Sequence, residues 1–432
     1  MHSSKSTNYP LLLYDNLRRQ LTSFIPRGEE VSLYVCGITP YDTTHLGHAF
    51  TYVTVDILVR FLTWWGLRVR YVQNVTDIDD DILRKAKAAG EDWQSLGNRW
   101  TQHFIDDMQA LNVLAPEVYP RATDVIPEII EWIRALLEVG VAYEAGGSVY
   151  FDVSAWPGYG CLACMPPAEL LRIANERGNN PDDPNKRHPL DFVLWQAQAP
   201  GEPAWESPWG PGRPGWHIEC STMAGKYLGK VVDIHAGGSD LLFPHHDSEI
   251  AQVEPISQGQ PFVRCWMHIA MVRYRGEKMS KSLGNLVMVR DLLGSYSPDA
   301  IRLVLAWHHY RQAWRYEEAE LARAQQVAEQ LKEAARISGG DGEALDLAWE
   351  RAAFGRALAT DLDAPTAALV LEAAGRRILR AADEGASVDQ AQKTLRELAS
   401  ILGLRLDRDE PEARVTTGWG RHRQRFAISK VA

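Results

Sequence analysis

Val31-Ser-Leu-Tyr-Val-Cys36-Gly37, then Thr44-His-Leu-Gly-His-Ala49, then the apolar run from Thr51 to Trp65 form the stretch that decides the fold. The first run is β-rich and stops at a glycine, as a buried parallel strand does, and the apolar positions of 51–65 recur at helical spacing. Arg68-Val-Arg-Tyr-Val-Gln-Asn-Val-Thr76 reads as the next strand. Strand, helix and strand in this order predict an open α/β sheet. Residues just past the carboxyl ends of such strands face the ligand crevice, which makes Asn74 and Thr76 candidate contacts. Glycine where strand gives way to helix lets the backbone approach a ligand, and helix N-terminal amides favour phosphate. The two histidines of His45-Leu-Gly-His48 add hydrogen bonds or positive charge to such a group, although the short pattern by itself is weak.

Upstream, residues 1–29 are polar and irregular. Downstream, the acidic turn Asp77-Ile-Asp-Asp-Asp81 reads as a solvated helix start, followed by helical patterns over roughly 82–112 and 123–140 and a strand at Val149–Val153. Residues 154–215 read as loop-rich. Within them Cys161-Leu-Ala-Cys164 is expected to be a pair of ordinary thiols, with a second zinc or a reversible disulfide as the alternatives, since no second pair follows at zinc-finger distance. Asn175-Glu-Arg-Gly-Asn-Asn-Pro-Asp-Asp-Pro-Asn-Lys186 is a polar turn cluster, either a lid or a surface excursion. Pro208 to Cys220, dense in Gly, Pro and Trp, suits a rigid loop that delivers Trp216 and Cys220 to a pocket floor.

Asp233-Ile-His-Ala-Gly-Gly-Ser-Asp-Leu-Leu-Phe-Pro-His-His-Asp-Ser-Glu249 carries the chemistry. If Pro244 opens a helix, His245 and Glu249 stand four residues apart and leave one face. Cys220, and Cys36 from the end of the first strand, complete a mixed S/N/O donor set suited to zinc. The bland reading of each residue alone is a packed histidine or a buried thiol. Beyond this stretch, Trp266 to Arg273 reads as a strand. Gly276-Glu-Lys-Met-Ser-Lys-Ser-Leu-Gly-Asn285 places two lysines three residues apart, a phosphate-following pair or simply a basic surface loop. From Ser297 to about 403 the pattern is helical, and 404–432 end in a basic tail of a composition compatible with disorder.

The 432 residues exceed one ordinary core, and 45% apolar with 24% charged residues is the composition of a soluble globular protein. A net charge of −10 argues against a surface that is wholly a nucleic-acid footprint. No run of 18 apolar residues and no signal-peptide core occur, so a cytoplasmic location and no membrane partner are expected. Five cysteines, an odd number, do not suggest a disulfide framework.

Taken together, His45-Leu-Gly-His48 resembles the first signature of the class I aminoacyl-tRNA synthetases, and Lys278-Met-Ser-Lys-Ser282 matches their second. Cys36-Gly-Ile-Thr39, Arg213-Pro-Gly-Trp-His-Ile-Glu-Cys220 and Gly237-Gly-Ser-Asp-Leu-Leu-Phe-Pro-His-His246 are similar to the cysteine-activating branch, which holds cysteinyl-tRNA synthetase and the mycothiol ligase. The resemblance covers roughly residues 30–400. It implies a Rossmann-like catalytic domain with a parallel sheet over 1–295, with an insertion at about 112–215, then a helical bundle over 296–403 and the tail 404–432.

The resemblance also implies one Zn2+ held by Cys36, Cys220, His245 and Glu249, and ATP as substrate with Mg2+. The adenylate is expected on Cys36, Gly37, Ile38, Thr39, Thr51, Asn74, Val75, Thr76, Trp216, Gly238, Ser239, Asp240 and Val272. His45, His48, Lys278 and Lys281 are the expected phosphate attendants. Thr39-Pro-Tyr-Asp42, Phe50, Tyr71 to Thr76, Glu176-Arg-Gly-Asn-Asn-Pro181 and His308-His-Tyr-Arg311 lean toward the mycothiol ligase. They favour L-cysteine transfer to the amine of glucosaminyl-inositol or a related amino sugar. Glu249 leans toward the synthetase, which makes tRNA the alternative acceptor.

Overall fold

The computed structural model describes residues 9–41, 44–274, 277–279 and 284–406, with only the backbone at 277 and 278. At its centre lies a four-stranded parallel sheet in the order Val263–Ile269, Val232–Gly238, Glu30–Ile38, Arg68–Val75. Its inner strands are buried on both faces, which is why they read as apolar runs without alternation. Helix Leu46–Trp65 crosses from the Glu30–Ile38 strand to Arg68–Val75 and ends at Gly66, whose φ of 104° closes the helix in the left-handed region. Its nearly all-buried central turns pack the sheet against helices Pro298–Ala306 and Glu318–Arg336 in one continuous apolar core. Helices Ala348–Ala359, Ala364–Asp383 and Asp389–Ile401 complete that side.

The opposite face of the sheet is covered by helix Trp216–Leu228 and by the intervening residues. Here the expectation of a loop-rich 154–215 is corrected. The region holds helix Pro167–Glu176 and strands Phe192–Ala197 and Gly212–Pro214, which join Ala142–Ala145 and Ser148–Phe151 in an antiparallel sheet. Trp195 and Leu194 are both fully buried, so this strand shows no period of two, and the edge strand is only three residues long. Asn175 to Lys186 forms an internally bonded turn, with Asn179 Nδ2 on Asn175 Oδ1 at 2.6 Å and Lys186 Nζ on Asn179 Oδ1 at 2.6 Å. The single strand expected from Trp266 to Arg273 is two, Val263–Ile269 and Val272–Tyr274; the second pairs with Trp314–Arg315 outside the central sheet. The tail 407–432 lies outside the described residues.

Candidate active site

The carboxyl ends of all four central strands converge on one pocket of about 510 Å³. Gly37 and Asn74 stand side by side there. A Cβ on Gly37 would lie 1.6 Å from the Asn74 carbonyl oxygen, so only glycine fits, and its N–H donates to Asn74 Oδ1 at 2.7 Å. Asn74 Nδ2 in turn donates to Thr76 Oγ1 at 3.2 Å, and Thr76 N–H donates to the Ile38 carbonyl at 3.0 Å. The pocket floor is thereby tied across two strands.

One wall is the start of helix Leu46–Trp65. His45 is its N-cap: Nδ1 accepts from the amides of Gly47 at 3.1 Å and His48 at 3.4 Å. Accepting at Nδ1 requires a bare nitrogen there, so the neutral ring carries its hydrogen on Nε2. The His48 ring stacks on it with centroids 3.8 Å apart. Thr51 Oγ1 donates to the Gly47 carbonyl one turn back at 3.3 Å.

The opposite wall is a buried cluster of soft and hard donors. Phe243 breaks the helical path, and a turn through Pro244 to His246 then feeds helix Asp247–Val253, so His245 and Glu249 do share one face. His245 Nε2 lies 3.1 Å from Glu249 Oε1, the Cys36 and Cys220 sulfurs are 3.8 Å apart, and Cys36 Sγ is 3.5 Å from Glu249 Oε1. These separations are the edges expected of a tetrahedron with zinc bonds of about 2.0–2.3 Å. All four ligand atoms lie within 4.8 Å of one another and all four residues are buried. Burial raises the Cys220 thiol, yet the Cys36 S–H and the His245 charge outweigh it and bring Cys220 down to about 6. Burial also raises Glu249, while His235 and His245 hold it down to about 2. A deprotonated sulfur and a carboxylate are the forms a metal takes, whereas burial, then Cys220 and Glu249, push the Cys36 thiol up, so a cation would have to displace its proton. The donor set therefore fits zinc.

Around it stands a shell of imidazoles whose part sequence reading missed. His217 Nδ1 meets His245 Nδ1 at 3.0 Å, His235 Nε2 meets Glu249 Oε2 at 2.9 Å, and His246 links Cys36 Sγ at 3.4 Å to His268 Nε2 at 2.8 Å. Cys36, His235, His246 and Glu249 form a second close grouping that shares two members with the first. Trp216 stacks on His245 with centroids 4.6 Å apart. His235 and His268 sit in strands buried on both faces, so alternation gave no hint of the direction in which they face.

Of the sequence candidates, Cys36, Gly37, Ile38, Thr39, His45, His48, Thr51, Asn74, Thr76, Trp216, Cys220, Gly238, Asp240, His245 and Val272 line the pocket. Val75 and Ser239 are not among the lining residues; Val75 is spent in the core, its N–H on the Pro120 carbonyl at 2.8 Å. Glu249 lies behind the thiols, fully buried. Lys278 contributes its backbone to a strand beside Val272–Tyr274, and Lys281 lies outside the described residues. Tyr41, Tyr52, Leu241, Met279 and Arg177 line the pocket without having been anticipated. Arg177 caps helix Pro167–Glu176 and donates from Nη1 to the Asp240 carbonyl. Among the described lining residues it is the one arginine or lysine.

The sequence profile of the tRNA synthetases class I (C) catalytic domain matches residues 24–326. A cysteine-tRNA ligase of Dehalococcoides mccartyi is 44% identical over 404 residues, 92% of this chain and 87% of its own length. An L-cysteine:1D-myo-inositol 2-amino-2-deoxy-alpha-D-glucopyranoside ligase of Thermobispora bispora is 45% identical over 365 residues, 84% of this chain and 89% of its own. Among solved structures, Mycobacterium tuberculosis methionyl-tRNA synthetase in complex with methionyl-adenylate superposes with a TM-score of 0.59 at 18% identity, covering 86% of this chain and 89% of that one. That likeness is one of fold. No helix among the described residues is long and apolar enough to cross a membrane.

Proposed function

This chain belongs to the class I tRNA synthetases with the (C) catalytic domain, and from that premise we propose that it is an ATP-dependent cysteine ligase. The observation that carries the reading is the buried Cys36, Cys220, His245 and Glu249 cluster opening on the pocket that His45 and His48 border. Cysteine and serine have nearly one shape, and an apolar pocket separates isosteres weakly. Zinc held by the cluster would supply a soft Lewis-acid position that prefers a thiolate to a hydroxyl.

The chain's own groups do the rest. Asn74, Thr76 and the backbone at Gly37 to Thr39 hold the adenylate, while Trp216, Gly238, Asp240 and Val272 close round it. His45, through its Nε2 hydrogen, and His48 meet the phosphates together with Lys278 and Lys281. The substrate carboxylate attacks the α-phosphorus of ATP, pyrophosphate leaves, and catalysis consists of positioning and charge stabilisation.

For the acceptor we take the amine of glucosaminyl-inositol or a related amino sugar. Support comes from Arg177, which reaches the pocket from the very segment, Glu176 to Pro181, that resembles the mycothiol ligase. A second reading, tRNA as acceptor, is favoured by Glu249 standing within the donor cluster and by the cysteine-tRNA ligases among the relatives. The test supplies ATP and cysteine with either the amino sugar or transcript tRNA and asks which becomes cysteinylated. Transfer to tRNA alone reverses the choice of acceptor. Absence of cysteine-dependent pyrophosphate exchange overturns the ligase itself.

A further inference from the structure

Cys161 and Cys164 are free and exposed, outside the pocket, and no step above uses them. The Cys164 N–H donates to the Gly160 carbonyl at 2.7 Å and closes residues 160–164 into one tight turn, with Cys164 itself in the left-handed region at φ 49°. Both thiols on this short turn are exposed, while Leu162 and Ala163 between them are buried. The inward side is bolted to the metal-type cluster. Leu162 N–H donates to Asp247 Oδ1 and Ala163 N–H to Asp247 Oδ2, both at 2.9 Å, and the Tyr159 hydroxyl meets Ser248 Oγ at 3.3 Å. Asp247 is itself buried and lies two residues from both His245 and Glu249.

We propose that Cys161 and Cys164 are a redox-modification site that takes low-molecular-weight disulfides and passes their abundance to the donor cluster through Asp247. The Cys164 thiolate attacks one sulfur of RSSR and expels RS−. The Cys161 thiol then loses its proton to water and displaces the second RS−, so two protein thiols are oxidised as RSSR is reduced to two RSH. Desolvation and the carboxylates of Asp247 and Glu254 push the Cys161 thiol up to about 11, and the second displacement is therefore assigned to Cys161.

A disulfide holds its two Cβ atoms about 3.5–4.5 Å apart. Closing one here fixes the backbone of 161–164, and the two amides that hold Asp247 lie on that arc.

The test uses the zinc-loaded full chain, treated with glutathione disulfide and then desalted. Alkylation with peptide mass mapping locates any disulfide, and a coloured chelator reads the rate of zinc release. A 161–164 disulfide reversed by dithiothreitol, with release about fivefold faster or more, is expected. The double variant C161S/C164S should release zinc slowly under both treatments. Thiols that stay reduced, oxidation that maps to Cys36 and Cys220, or a disulfide that leaves release unchanged each overturns the proposal. Only the release readout rests on the zinc reading above; the mapping judges the dithiol whether or not the ion binds.

Discussion

His45 caps a helix through one ring nitrogen and lines the pocket, where the proposed function gives its other nitrogen the phosphates. The two roles separate by substitution. His45→Asn keeps an N-cap acceptor and should hold stability within about 0.5 kcal/mol while lowering pyrophosphate exchange about 100-fold; His45→Ala should lose about 1 kcal/mol as well. Chemical denaturation beside the exchange assay checks both. Cys220→Ser replaces a soft ligand by a hard one, so zinc content and cysteine activation should fall together. A variant with its metal intact and its activity gone would contradict the coordination. Cys36 and His45 could be read in the sequence because each sits where strand, glycine and helix meet, and His245 because it follows Pro244; Cys220 was expected in a rigid loop but stands within helix Trp216–Leu228. Arg177 could not, because a polar turn cluster carries no sign of which way its side chains face.

Asp79 shows how an element's start sets a pH dependence. It N-caps helix Asp80–Ala89 by accepting from Asp81 N–H at 2.7 Å, and burial raises its carboxyl to about 6 from an ordinary value near 4. A raised carboxyl binds more protons in the folded than in the unfolded state. Stability therefore declines as pH climbs from about 4 to 6, and the full penalty persists above. Asp79→Asn keeps the cap without the charge and should be more stable than wild type by ~1–2 kcal/mol at pH 8, with the gap closing at pH 4.

Two further elements meet at Arg302, which is fully buried in helix Pro298–Ala306 and donates to the Asp56 carboxylate of helix Leu46–Trp65 and to the carbonyls of Leu111 at 2.8 Å and Leu402 at 2.7 Å. Arg302→Ala removes the donor from two buried carbonyls and leaves Asp56 only Arg60 and the Leu114 N–H, and should cost about 3 kcal/mol by thermal or urea unfolding. At the turn that delivers Arg177, Arg177→Ala should leave exchange within about twofold and slow transfer to the acceptor about tenfold or more. Equal losses in both steps would place the guanidinium on the adenylate instead. At this scale the parallel strands and long helices were legible because apolar run length and helical period are local signals. The inserted antiparallel strands were not, since Phe192–Ala197 loses its alternation where Leu194 and Trp195 are both buried and Gly212–Pro214 carries a proline.

Across the whole molecule, an ion bound to the native cluster but not to the unfolded chain stabilises by mass action. Chelation should lower the melting temperature and abolish cysteine-dependent exchange together, and added zinc should restore both; a melting temperature indifferent to chelator would count against a resident metal. Cys36 lies 184 residues ahead of Cys220 and 213 ahead of Glu249, yet all three meet in one cluster. During synthesis the nascent polypeptide thus carries its first thiol through about half of translation before the last member of the cluster is made. On the proposed reading, a preference for sulfur can arise only after the final donor has left the ribosome and the outer strands have closed around it, so prematurely terminated products should lack it altogether.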